Sequence, residues 1–386
     1  MKLKKTISIL CSIATGVSLA CSLPDIYDGL TDHALTIAYV SHDYNLGTSI
    51  QAYAVSNATG GFVKLIGAYD TGAVATTLWI SVHPTKRFLF SANDNGTVSA
   101  FSINQETGEL SLIATPYPAA GVTCCLAIHP SGKYLYALNQ NSPLPGSITA
   151  FSIDQNSGAL TALTTGPFST GLSPTYGMID STGNHLYVTN YDDQTMSEYT
   201  INNTTGALTA MPLSPVLIGY KTPPPPTTLD GKNPGSFTIN PAGTLLFATF
   251  QTGHIYYFPM TSGNISNSFT GQIQLSGSVL NHIIINRSGN YIYFVDANFN
   301  YINSYSVNSA GLDTSIGFWS TGSNPQRITF GPDEKYIYAA NLGGGGPVGS
   351  VSVFSVNSST GDLSEVNGSP FATNSANRSI AVVKLY

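Results

Sequence analysis

The chain repeats itself, and a repeat of this size decides the architecture before any single residue does. Its unit reads His-Pro-x-Gly-Lys-Tyr-Leu-Tyr, then Asn, then Phe-Ser-Ile, then a Thr-Gly or Ser-Gly turn before Leu. One clear copy holds His83, Pro84, Phe88, Asn93, Phe101-Ser102-Ile103, Gly108 and Leu110. A second holds His129-Pro130, Tyr134-Leu135-Tyr136, Asn139, Phe151-Ser152-Ile153, Gly158 and Leu160. Weaker copies pass through Gly183 to Asn190, Asn240 to Phe247, Gly289 to Tyr293 and Gly331 to Asn341. With the Pro of the turn as register mark, Pro84, Pro130, Ser181, Pro241, Arg287 and Pro332 are equivalent. The spacing is about 45 to 60 residues, the length of a propeller blade.

Each unit reads as four short strands. An apolar run precedes the His-Pro turn, Tyr-Leu-Tyr alternation follows it, Phe-Ser-Ile ends a third strand, and the Leu after the Gly starts a fourth. Pro-x-Gly, Asn-Gly and Thr-Gly supply the turn chemistry between them. Residues 34–40 match a second strand with no first strand before it, whereas Arg378-Ser379-Ile380-Ala381-Val382 resembles the first strand Gln326-Arg327-Ile328-Thr329-Phe330. The expectation is an all-β, seven-bladed β-propeller with four-stranded blades, its first blade closed by the C-terminal strand, which hides two sheet edges.

The 38 Gly, 22 Pro and 22 Tyr with only 9% charged residues suit a turn-rich β protein whose blades pack on their neighbours. Lys2, Lys4 and Lys5 precede an apolar stretch over 7–17 and Ser18-Leu19-Ala20 stands before Cys21, the pattern of a secretory signal and too short for a membrane span. Residues 1–20 are therefore expected to be a signal peptide, 21–33 a mature N-terminal tail, and 34–386 the propeller. Ala20-Cys21 resembles a bacterial lipoprotein site, so a lipid anchor on Cys21 and plain secretion are both open. Either way the domain is expected to be exported, to a periplasmic, outer-envelope or extracellular location. Loss of residues 1–20 removes three Lys and no acid, taking the formal charge from −6 to −9, which disfavours nucleic acid as a partner.

Cys124 and Cys125 are the two cysteines left in the folded domain. Adjacent cysteines do not form a disulfide framework, so they read as buried or channel-lining thiols, with a metal pair or redox couple as the rival reading. The loop from Gly219 to Pro234 contains Pro223-Pro224-Pro225-Pro226 and reads as an exposed polyproline segment: a rigid excursion, a docking segment or a lip over the ring. No phosphate-cradling loop, zinc spacing or nucleophile elbow is present, and Asp192-Asp193 alone are too few for calcium, so no cofactor or metal is expected.

Tyr187-Val188-Thr189-Asn190 is the literal Tyr-Val-Thr-Asn signature of one class of surface propeller repeats. Together with the His-Pro-x-Gly-Lys-Tyr-Leu-Tyr spacing it resembles the seven-bladed lactonase family, which includes 6-phosphogluconolactonase and carboxymuconate-lactonizing enzymes. The resemblance covers residues 34–386. It implies an active blade reading Pro-Arg-His-x-x-Phe-x-Pro-x-Gly and then Tyr-Val-x-Asn-Glu, with His five and Arg six positions before the turn Pro and Glu ten after. The five-before residues here are Trp79, Cys125, Tyr176, Ser236, His282, Arg327 and Ser379, a ring near the top of the channel. The six-before residues are Leu78, Cys124, Thr175, Gly235, Asn281, Gln326 and Arg378. At ten after stand Asp43, Asp94, Gln140, Tyr191, Gln251, Ala297 and Leu342. No blade carries the Arg-His pair or the Glu.

Lactone hydrolysis needs a base for water and a cation or donor for the oxyanion. The candidates are His282 as base, Arg327 or Arg378 for charge, and Asp94 or Asp296 to orient. Trp79, Tyr176, Tyr191 and Phe250, with Ser236 in the ring, are the candidate ligand-binding residues. His83 and His129 read as structural, and Asn93, Asn139, Asn190 and Asn341, nine after the mark, are expected to bond backbone between blades. The function expected is an exported, monomeric binding platform with a carbohydrate or protein ligand at the channel mouth. The alternative is a lactonase-type hydrolase, 6-phosphogluconolactonase-like, with a reduced site.

Overall fold

The computed structural model describes residues 35–385, apart from 46–47, 220–232, 345–347 and 374. The expected signal peptide and N-terminal tail, with Cys21, and most of the proline-rich loop therefore lie outside the described residues. The rest forms seven antiparallel sheets, without a helix among the described residues. The innermost strands, from blade 1 to blade 7, are Asn377–Lys384, Thr77–Val82, Val122–Ile128, Pro174–Ile179, Pro234–Ile239, Leu280–Ile285 and Pro325–Phe330. Each touches the next, and the last touches the first, so they enclose one channel.

Closure is as the terminal match implies. In blade 1 the order is Phe62–Tyr69, Thr48–Val55, Thr36–Asn45 and then Asn377–Lys384, with Thr36 opposite Lys384 and Val40 opposite Ile380. In five blades the fourth position is shared by two short segments that pair the same third strand, as Leu110–Leu112 and Tyr117–Pro118 do on Thr97–Ile103.

The repeat residues bolt neighbouring blades together. His83 Nε2 donates to the Gly132 carbonyl at 2.8 Å while its Nδ1 accepts from Thr85 N, and His129 Nε2 reaches the Gly183 carbonyl at 2.8 Å. Gly132 has φ +75°, and a Cβ there would lie 2.4 Å from His83 Nε2, so this bolt itself requires glycine. One strand along, buried Tyr39, Tyr136, Tyr187 and Tyr293 donate to the carbonyls of Gly108, Gly206, Gly263 and Gly361 in the following blade. Burial raises the pKa of all four phenols, keeping them donors.

The recurrent asparagines act differently from expectation. Asn93 Nδ2 donates to Thr97 Oγ1 and Ser99 Oγ, Asn190 to Thr195 and Ser197, and Asn341 to Ser350 and Ser352. These hydroxyls belong to the third strand of the same blade, not to the backbone of another. The Asn faces its own cross-strand neighbours, where Ser and Thr at alternate positions reach its amide.

Candidate ligand site at the channel mouth

Every inner strand carries a register shift at the same place. The ladder skips across Leu78, Cys124, Thr175, Asn281, Gln326 and Arg378, and across Gly235-Ser236 in blade 5. A bulge of this kind re-aims side chains. The six-before side chains of blades 3, 4 and 6 turn to the neighbouring blade: Cys124 Sγ donates to the Pro174 carbonyl, Thr175 Oγ1 to that of Pro234 and Asn281 Nδ2 to that of Pro325. Gly235 has no room for a side chain, since its Cβ would meet the Leu280 carbonyl at 2.7 Å.

The five-before side chains of four blades meet across the channel. The Trp79 ring of blade 2 lies 5.6 Å from Tyr176 of blade 4 and 6.3 Å from His282 of blade 6, and Tyr176 and His282 are 5.3 Å apart. The Arg327 guanidinium of blade 7 sits 4.1 Å over the Trp79 ring and 5.8 Å from the Tyr176 ring. Trp79 is held in place by its own strand, its indole N–H donating to Ser81 Oγ at 2.9 Å. Solvent reaches Trp79 and Arg327, while Cys125, Tyr176, Ser236, His282 and Ser379 are buried beneath or beside them.

The electrostatics of this cluster are one-sided. Among the described residues no carboxylate pairs with Arg327, whose neighbours are aromatic rings and thiols. Burial, then the Arg327 cation, hold the His282 pKa well below the ordinary imidazole value, so the ring is neutral at neutral pH. Its Nδ1 accepts the Ile328 N–H at 3.4 Å, which leaves the proton on Nε2; that atom is buried and has no hydrogen-bond partner. Ser236 Oγ accepts from Ile283 N at 3.0 Å and serves the backbone of blade 6. Cys125 is buried with its Sγ 2.9 Å from that of Cys124, and burial pushes its thiol pKa well above the usual range.

The remaining candidates are not gathered into this cluster. Arg378 makes a two-point ion pair with Asp43, at 2.7 and 3.2 Å. These are the six-before and ten-after positions of blade 1, where the resemblance places Arg and Glu, while Ser379 stands in place of the His. Asp43 is the site residue that sequence reasoning passed over, although the register put it at the Glu position. Asp94 Oδ1 caps its own loop by accepting from Thr76 N, and Asp296 Oδ1 accepts from Val279, Asn298 and Phe299 N–H groups. Tyr191 donates to Gln251 Oε1 at 2.8 Å, joining blades 4 and 5. Phe250 is fully buried, 5.3 Å from Tyr256, and so is core rather than ligand surface. It holds the Asn position of blade 5, whose side chain faces the third strand of its own blade.

Comparison with known proteins agrees with this architecture. The sequence profile of the family described as "Lactonase, 7-bladed beta-propeller" matches residues 94–211 and 260–378, more than half of the chain. No curated protein sequence matches. Among solved structures, the periplasmic gluconolactonase of Pseudomonas aeruginosa superposes with a TM-score of 0.74 at 15% identity, covering 91% of this chain and 100% of that one. A Bacteroides fragilis protein assigned provisionally as a 6-phosphogluconolactonase gives 0.72 at 19% identity, covering 92% and 99%. A Lactobacillus plantarum protein gives 0.72 at 15%, covering 91% and 99%. At such identities the structures establish likeness of fold, and the profile match carries the family: the chain belongs to the seven-bladed β-propeller lactonases.

Proposed function

We propose that this protein is an exported binding member of the lactonase family, and that its channel mouth holds a carbohydrate bearing a carboxylate. The observation that carries the reading is Arg327, a residue partly reached by solvent whose guanidinium lies over the Trp79 ring and near Tyr176, with no carboxylate partner among the described residues. A guanidinium fork so placed keeps its in-plane N–H groups for a two-point contact with a ligand carboxylate, and the part of Trp79 that solvent reaches adds aromatic surface beside it. Export rests on the basic, apolar and small-residue pattern of residues 1–21.

A lactonase-type hydrolase is the second reading, supported by family membership and by the nearness of His282 to the Arg327 side of the channel. Against it stands the chemistry of His282. A general base must present an unprotonated nitrogen to water, but Nδ1 is turned to the Ile328 N–H and the buried Nε2 carries the proton. No carboxylate reverses that arrangement within the cluster.

Calorimetric titration with D-galacturonate and with D-galactose tests the binding reading. The acid is expected to bind and the neutral sugar to bind at least about tenfold more weakly, the difference vanishing in Arg327→Gln. Equal binding of the two sugars, or acid binding untouched by Arg327→Gln, overturns it.

A further inference from the structure

A second concavity lies between blades 6 and 7, at the end of the blades where the inner strands begin. It is an open cleft of about 500 Å³ whose lining includes Val279, Asn298, Asn300, Ser323, Asn324 and Gly343. Its walls are the lead-in loops of two inner strands and the turns that follow the second strands, so they are fixed by both blades.

We propose that this cleft is a binding site for a neutral carbohydrate, distinct from the channel mouth and independent of the reading of Arg327. Its polar groups are held in fixed directions by bonds within the protein. Asn300 and Asn324 both adopt the left-handed region, with φ of 60° and 56°. The Asn324 N–H donates to Asn300 Oδ1 at 2.6 Å, and Gln326 Nε2 donates to Asn324 Oδ1 at 2.7 Å. With both carboxamide oxygens occupied by the protein, the Nδ2 groups of Asn300 and Asn324 are left as donors. Asn298 is turned the other way: its Nδ2 donates to the Gly277 carbonyl at 2.7 Å, which leaves its Oδ1 as an acceptor. Ser323 Oγ can do either. Each amide is thus oriented by a protein bond on one side and open on the other.

Among the described residues no charged side chain lines the cleft. At the ten-after position, where Ala297 lines this cleft, blades 1 and 2 carry Asp43 and Asp94. An anion therefore finds no cation here, and a divalent cation finds no converging carboxylates. Neutral sugar hydroxyls, each both donor and acceptor, match the alternation of amide donors with an amide acceptor, while Val279 and Ala297 offer apolar surface to the C–H face of a ring.

The test uses the full-length chain and saturation-transfer NMR with cellobiose, lactose and chitobiose as probes. Asn300→Gly with Asn324→Gly removes both amide donors yet keeps residues at ease with positive φ. Ser323→Trp fills the cleft from a side chain that makes no hydrogen bond among the described residues. At least one disaccharide is expected to bind, with affinity falling at least about tenfold in both variants and unchanged in Arg327→Gln. If none of the disaccharides binds, the proposal fails. It fails equally if binding survives Ser323→Trp, or if Arg327→Gln abolishes it, which would place the sugar at the channel mouth.

Discussion

At the residue scale, the ring differs from a hydrolytic centre in how its protons are placed. His282 is neutral, its acceptor nitrogen is turned to the backbone, and among the described residues no carboxylate pairs with the cation beside it. A second buried group makes a separate test of how burial governs titration. Glu198 is fully buried, accepts the Ile265 N–H from the next blade at 2.9 Å through Oε1, and leaves Oε2 without a partner. Burial raises its pKa from 4.5 to about 7, the one backbone bond opposing this. Between those values the unfolded chain has released the proton and the folded chain still holds it. The folded state therefore binds more protons, so the contribution of Glu198 is fully present below pH 4.5, declines as pH rises, and is gone above about pH 7. Glu198→Gln keeps the acceptor and removes the titration. Denaturant unfolding is expected to show the variant more stable than the wild type at pH 8 by about 1–3 kcal/mol, with the gap closing toward pH 4. A gap that is constant with pH refutes this role.

At the scale of elements, the strands and their turns were legible because their signals are local. Turn residues at the register marks, such as Pro130-Ser131-Gly132 and Pro241-Ala242-Gly243, and the alternation of the flanking runs placed all seven five-before residues on inner strands. What alternation does not contain is the bulge. It depends on how two strands pair, and it sends Cys124, Thr175 and Asn281 to the adjacent blade instead of into the channel. The same limit explains Phe250. Its register position was readable, but the facing of that position toward the third strand follows from pairing in the sheet.

At the scale of the molecule, the contacts that define the site join residues far apart in sequence. Trp79 meets Arg327 only because the ring closes, and the Arg378–Asp43 pair exists only because the last strand completes the first blade. Closure was legible from one terminal segment that resembles an inner strand; the reach of Trp79 across the channel was not, since strand pattern says nothing of side-chain length against channel width. Deleting residues 377–386 removes a whole inner strand and exposes the edges of blade 1 and the neighbouring inner strands. Thermal unfolding of the truncated chain is expected to lose its cooperative transition or to fall by more than about 15 °C in Tm. A truncated chain that melts with the wild type contradicts the closed ring.

The proposed function has the channel mouth bind without turning over, and a single assay on glucono-δ-lactone tests it most directly. Acid release by the purified protein is followed beside the buffer rate, in wild type and in His282→Ala. The account predicts release at the buffer rate in both, because neither nitrogen of His282 is available to take a proton from water. Release well above the buffer rate in the wild type, lost by about 100-fold or more in a folded His282→Ala, would contradict it.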